Sequence, residues 1–150
     1  MSTHPHPRRV PRARIDTIAG ADDALALIRG VTAIPARHET IVIVLDDAHR
    51  GLGVVSVSDT DDDDAVVTVV ECVAQPDLFD GDGGALVVAT VRPGGFVTDD
   101  DIDRWFEICD LADEAGLELV EWFVVGRSIS CPRDLVGVPP RWRGGAARSA

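Results

Sequence analysis

The sequence predicts a single α/β domain built on a mixed β-sheet flanked by helices. Two runs, 40–47 ("TIVIVLDD") and 85–91 ("ALVVATV"), are nearly unbroken apolar, mostly β-branched residues, the pattern of strands buried on both faces. Residues 98–115 repeat apolar side chains with the 3.6-residue period of a helix. Segments of the two kinds alternate along 150 residues, the length of one ordinary domain with a real core.

Taken in order, residues 1–15 hold three prolines and four arginines without periodicity, and read as a flexible basic tail. The domain is expected over 16–138. Asp22 and Asp23 open a short helix carrying Ala24, Leu25, Leu27 and Ile28, with Gly30 as its stop. The strand at 40–47 follows, then a turn at "HRGLG" and an alternating run at 54–58, together a β-hairpin that makes the sheet mixed. Residues 65–74 are ambiguous from composition. Their valines favour a strand, while the aspartates at 59–64 before them favour a helix start. A Pro/Gly loop at 75–84 leads into the strand at 85–91. In the next helix Ile102, Trp105, Phe106, Cys109 and Ala112 form the expected apolar face, and Gly116 ends it. A strand at 117–126 and a short extension at 128–135 complete the domain. Residues 139–150 read as a second Pro/Gly/Arg tail, with Trp142 a candidate to pack back.

Charge and cysteine usage exclude several function classes. The net charge is −12 and every one of the 14 basic residues is arginine. Four arginines (Arg8, Arg9, Arg12, Arg14) lie in 1–16 and three (Arg141, Arg143, Arg148) in 139–150. Residues 17–138 are left with 7 arginines against 25 acids, a net of −18. Such a core repels phosphate backbones, so no nucleic-acid binding is expected through it. No apolar run approaches the ~20 residues of a membrane span, and no apolar stretch follows the N-terminal arginines as in a secretory signal. Cys72, Cys109 and Cys131 are odd in number and widely spaced, which fits a reducing cytoplasm better than a disulfide framework or a zinc knuckle.

Candidate chemistry is sparse. Asp59–Asp64 fails as an EF-hand loop: the sixth position holds Asp64 instead of Gly and the twelfth Val70 instead of Glu. Ser2-Thr3-His4 would form a square-planar copper or nickel site only after loss of Met1. Cys131 with His38 or His49 as base would make a nucleophile, but only Arg127 and Arg133 lie near it in sequence to lower its pKa. The common phosphate-loop and nucleophile-elbow patterns are absent. Residues 90–101, "TVRPGGFVTDDD", remain. Thr98-x-x-Asp101 has capping-box spacing with Asp in place of Glu, which explains the acids as a helix start without a metal.

The order of segments over roughly 20–135 resembles a RadC-like JAB/MPN (JAMM) domain, chiefly in "VIVLDDAHRG" and in the helix–strand pair ending "LVEWFVVG". The resemblance implies a cytidine deaminase-like α/β/α arrangement and makes 65–74 a helix. In active members of that family a His-x-His-Pro motif, a Ser-x-x-Asp motif and an upstream Glu hold zinc and activate its water. Carried over, the His-x-His-Pro positions are Thr90, Val91, Arg92 and Pro93. The Ser-x-x-Asp positions run from Thr98 to Asp101, and the Glu falls at His38 or Glu39. Asp101 is the one surviving ligand position, and Arg92 puts a fixed positive charge where the metal would sit.

The resemblance therefore implies a pseudoenzyme that has lost its zinc and serves as a binding or scaffold module for a protein partner. Two alternatives stand beside it. One is a metal-dependent hydrolase of the isopeptidase type with a remodelled site, in which Asp99, Asp100 and Asp101, with Glu39, hold magnesium. The other is an acidic protein that meets a basic partner.

Overall fold

A computed structural model describes residues 10–142. The basic residues Arg8, Arg9, Arg143 and Arg148, most of both expected tails, and the Ser2-Thr3-His4 segment lie outside the described residues.

A five-stranded sheet has the order β2-β1-β3-β4-β5. Helix α1 (Ala21–Val31) precedes strands β1 (Glu39–Leu45) and β2 (Gly51–Ser58). Helix α2 (Ala65–Val73) and a 3-10 turn lead to β3 (Ala85–Val91), and α3 (Asp100–Glu114) crosses over to β4 (Glu118–Val125). A two-residue strand, β5 (Ile129–Ser130), and the short helix α4 (Pro132–Val136) close the domain. The pairings β2–β1, β1–β3 and β4–β5 are antiparallel and β3–β4 is parallel, so the sheet is mixed.

Every residue of β1 and β3 is buried, as their β-branched runs require. Alternate side chains supply two cores. Val42, Val44, Leu86, Val88, Trp122 and Val124 pack against α2 and α3 on one face. Ile41, Ile43, Leu45, Val87, Ala89 and Phe123 pack against α1 on the other. Three layers result, with helices on both faces of the sheet. On the α1 face Trp142 stacks on Phe123 at 6.4 Å between ring centroids, and the Arg141 N–H donates to the Val120 carbonyl, so the chain is seated as far as Trp142.

The ambiguous segment 65–74 is helix α2. Its buried valines, Val66, Val69, Val70 and Val73, recur at i, i+3, i+4 and i+7, so helical burial overrides their strand preference. Helix α1 runs through Gly30 to Val31 and ends at Thr32, whose N–H and hydroxyl both donate to the Ile28 carbonyl. Strand β2 begins at Gly51, earlier than the alternating valines imply, because the turn closes within 46–50. The segment after β4 is a strand and a helix in succession, with Pro132 at the first helical turn.

Helix α3 departs most from expectation. Its buried stripe is Asp101, Trp105, Ile108, Cys109 and Ala112, while Ile102 is half-buried and Phe106 is exposed. The helix is turned so that a carboxylate, not a phenyl ring, faces the sheet. At its far end Gly116 (φ 76°) takes the left-handed conformation. The Leu117 N–H bonds the Ala112 carbonyl and the Gly116 N–H bonds the Asp113 carbonyl, a Schellman stop with Leu117 buried beneath it.

The turn joining β3 to α3 is held against the end of β4. The Arg92 N–H donates to the Val125 carbonyl at 2.8 Å, and the Arg127 N–H to the Gly95 carbonyl at 3.1 Å. A methyl group on Gly126 would overlap the Gly95 carbonyl and press on that of Arg92. Both obstacles are backbone, so neither moves aside cheaply. Gly126→Ala is expected to lower unfolding free energy by about 2–4 kcal/mol in urea denaturation, with an unchanged m-value.

Candidate functional site

The C-terminal end of β3 delivers Arg92 and the first turn of α3 delivers Asp101. Asp101 is fully buried and Arg92 is 7% exposed. They meet as two parallel bonds, Nη1 to Oδ2 and Nη2 to Oδ1, both 2.7 Å. The Thr98 N–H donates to Oδ2 at 2.7 Å and its hydroxyl to the same oxygen at 3.3 Å. Arg104, one turn along α3, donates from Nη1 to Oδ1 at 2.9 Å. Five donors thus converge on one carboxylate. The capping-box spacing is realised in one direction: the Asp101 side chain reaches back to Thr98, and no side chain caps the α3 N-terminus in return.

The acidic loop before α2 closes over this centre. Asp64 Oδ1 accepts Arg104 Nε at 2.8 Å, and Asp63 Oδ1 lies 3.9 Å from Arg92 Nε. Arg92 Nη1 also donates to the Phe96 carbonyl at 3.0 Å, fixing the β3–α3 turn. Two arginines and three acids from three segments therefore form one network.

Thr90 sits two residues before Arg92 on the same face, 5% exposed. Its hydroxyl accepts the Trp122 indole N–H at 2.9 Å. Thr40, its neighbour across the ladder, donates to the Thr60 hydroxyl at 2.9 Å. Glu39 is also buried, but it alternates with Thr40 and falls on the α1 face with Ile41, where Oε1 accepts the Ala33 N–H at 2.9 Å. The sheet itself separates it from Asp101. His38 lies just before β1, half-buried, with its carbonyl accepting the Asp59 N–H. Of the residues singled out from sequence, Arg92 and Thr98 both bond Asp101. Thr90 stands beside them and Glu39 does not join them.

A metal ion does not fit here. Both Asp101 oxygens are taken by hydrogen-bond donors, and a cation would meet two guanidinium groups. Asp99 and Asp100 are exposed while Asp101 points inward, so adjacent aspartates diverge as helix geometry demands. Among the described residues no three His, Cys, Asp or Glu side chains gather as a metal site.

Burial alone would raise the Asp101 carboxyl, but hydrogen bonds from Arg92, Thr98 and Arg104 and the Arg92 charge outweigh it, so its pKa lies below the ordinary 3.8. Burial and then the Glu121 charge push the Cys131 thiol up to about 12, so it is no thiolate nucleophile. His49 lies in the β1–β2 turn, at the end of the sheet where Leu45 and Glu118 meet Ala85. Cys131 follows β5 at the far edge, so His49 does not serve it as a base.

A second buried carboxylate went unnoticed in the sequence. Glu121, 1% exposed, accepts Arg133 Nε at 2.6 Å and the Trp122 N–H at 3.0 Å, next to a register shift between β3 and β4. Here burial prevails over the Arg133 contact and the pKa is raised. Its signal was an acid inside the apolar run "LVEWFVV". Arg104, likewise missed, stands three residues after Asp101 on the same helix.

These features define an α/β/α domain with a carboxylate–diarginine centre at the junction of β3 and α3. No known family model and no curated protein sequence matches the chain.

Arg92→Met leaves a buried carboxylate with half its countercharge, and is expected to cost about 3–5 kcal/mol. Arg104→Met, whose second partner Asp64 is exposed, should cost about 1 kcal/mol. Thr90→Val, which orphans the Trp122 N–H, should cost about 1–3 kcal/mol. The pH dependence has a definite sign. The native Asp101 binds its proton less tightly than the unfolded chain does, so its stabilisation is full above pH ~3.8 and is lost as pH falls through the native value. Asp101→Asn should flatten that acid limb of stability, measured by urea midpoints across the pH range.

Proposed function

We propose that the chain is a non-catalytic, RadC-like JAB-type domain that acts as a binding or scaffold module. The observation that carries this reading is the saturated Asp101 carboxylate. The resemblance to that family expects a zinc ligand at this position, and the chain has a guanidinium from Arg92 there in place of a metal's charge. Thr90, at a position expected for imidazole, has its hydroxyl committed to Trp122. An ion pair and a hydroxyl in those places keep the junction of β3 and α3 rigid without giving it a Lewis acid or an activated water. The remodelled-hydrolase alternative has less support, because Glu39 and the exposed Asp99 and Asp100 do not share a site with Asp101.

What the module binds is read from charge. Residues 17–138 carry −18, and the loop covering the arginine centre is acidic. A groove of about 340 Å³ beside it is lined by Asp59, Asp62 and Asp64 with Val57, Thr60 and Val69. Apolar walls and carboxylates suit the stem and head of an arginine or lysine side chain. The partner is accordingly a protein with a basic surface, and neither a nucleic acid nor a membrane. No helix among the described residues is long and apolar enough to cross a bilayer.

Metal analysis of purified protein, with calorimetric titration of zinc and magnesium, is expected to give no stoichiometric binding. About one zinc per chain, lost in Asp101→Asn, would overturn the proposal. An arginine-rich peptide should bind in low salt and be released as ionic strength rises. Replacing Asp59, Asp62 and Asp64 by Asn should abolish that binding, and binding that survives both changes would sink the electrostatic reading.

A further inference from the structure

The two edges of the sheet differ. At one, β5 is two residues long and runs into α4. At the other, β2 is eight residues long, and its outer side is covered only at its start. The Asp59 N–H donates to the His38 carbonyl, so Asp59, Val57, Val55 and Gly53 turn their peptide groups toward β1. Val54, Ser56 and Ser58 turn theirs outward. At the start of the strand the Gly51 carbonyl accepts the Arg14 N–H at 2.8 Å, and the Ile18 N–H bonds the His49 carbonyl. From Val54 onward, no described residue bonds the outward groups.

Edge strands are ordinarily guarded by charges, prolines or brevity. Residues 51–58, "GLGVVSVS", have none of these, and Val54, Ser56 and Ser58 are exposed. The edge runs straight into the acidic loop. That loop holds five aspartates in 59–64, and the arginines that reach it, Arg92 and Arg104, also serve Asp101. The Asp59 and Asp61 side chains have no described partner, and Asp62 is engaged through Oδ1 alone, by the Asp64 N–H. At the other end of β2, Arg12 is paired with Asp16 and Arg50 with Asp46, and Arg14 shares a groove with Asp47 and Asp82. That end is nearly balanced, so the uncompensated charge along this edge is that of the loop after Ser58.

On the reading above that the partner is basic, we infer the form in which it binds: an extended basic segment adds to β2 as a further antiparallel strand. Val54, Ser56 and Ser58 offer it their outward N–H donors and carbonyls, and antiparallel pairing is the more stable of the two senses. Side chains alternate across a sheet. Val55 packs on the α2 side, and Val57 shares its face. A partner residue opposite Val57 therefore projects to the α2 face. There it meets the groove lined by Val57, Thr60, Asp62, Asp64 and Val69. The groove takes the charged head of that residue while its backbone is held by the strand edge. Its two neighbours in the segment lie opposite Ser56 and Ser58, project to the α1 face and need no charge. A second copy of this chain fits the edge less well, because residues 17–138 would bring a further −18 to it.

The probe is a capped peptide of alternating arginine and valine, its binding to the full chain followed by fluorescence anisotropy in low salt. The unmodified chain and Ser56→Ala are expected to bind it equally. Ser56→Pro removes the central outward N–H without touching a bond to β1 or any carboxylate. It should weaken binding about tenfold or more, with an unchanged circular dichroism spectrum. Methylated peptides test the same point on the unmodified chain. In the antiparallel register the valine N–H groups face β2, so N-methylation of the valines should weaken binding as much, and N-methylation of the arginines should leave it intact. Equal binding of all three peptides, full binding by a folded Ser56→Pro, or a loss confined to the arginine-methylated peptide would overturn the inference and leave the electrostatic reading standing. Failure of the parent peptide to bind, or binding unchanged when Asp59, Asp62 and Asp64 are replaced by Asn, would overturn that reading and this inference together. A dimer of the free chain that Ser56→Pro abolishes would give the edge to a second copy, and would also overturn it.

Discussion

The ion pair between Arg92 and Asp101 organises the half of the domain in which it sits. Asp101 occupies the buried stripe of α3, and satisfying it fixes the rotation of that helix, sending Phe106 outward and Ile108 inward. Arg92 is in turn held by the Phe96 carbonyl, which shapes the β3–α3 turn, and the glycine contact with the end of β4 seats that turn on the sheet. Through Arg104 the same carboxylate reaches Asp64 and anchors the loop that starts α2. A strand end, a helix start and a remote acidic loop thus share one charge centre. Its cost in desolvation is offset because nearly every polar atom around Asp101 is matched.

The two buried carboxylates show how counting donors decides protonation. Asp101 receives two arginines, an amide and a hydroxyl, and is held below its ordinary pKa. Glu121 receives one arginine and one amide, and burial pushes it above. Their effects on stability oppose each other. The raised Glu121 stabilises the fold most below pH ~4.5, and that contribution is lost as pH rises through its native value. Glu121 has a structural part: it accepts the Trp122 N–H beside the β4 register shift, while Arg133 ties it to α4.

Much of the framework was legible in the sequence because single signals sufficed there. β-branched runs marked β1 and β3, and Gly116 marked the end of α3. Positions that depend on tertiary balance were not legible. Gly30 is tolerated inside α1 because packing of Ala24 and Ile28 outweighs its propensity. The face of α3 follows from Arg92, thirteen residues before Trp105, and no periodicity within the helix reveals it. The pairing of Arg92 with Asp101 was foreseeable as a cation beside a carboxylate. Arg104 and Asp64, forty residues apart, were not. Glu39 could be assigned to a face only once the phase of β1 was known, since a shift of one residue exchanges the two faces.

The five donors around Asp101 also constrain how this domain can evolve. To turn such a centre into a cation site, a lineage must remove Arg92, detach Arg104 and supply new ligands. The order of those steps is unequal. Removing Arg92 first strands the buried Asp101 charge, while detaching Arg104 first leaves the two Arg92 bonds in place and frees only part of one carboxylate oxygen. Loss of Arg92 is therefore the step that holds the centre in its present form.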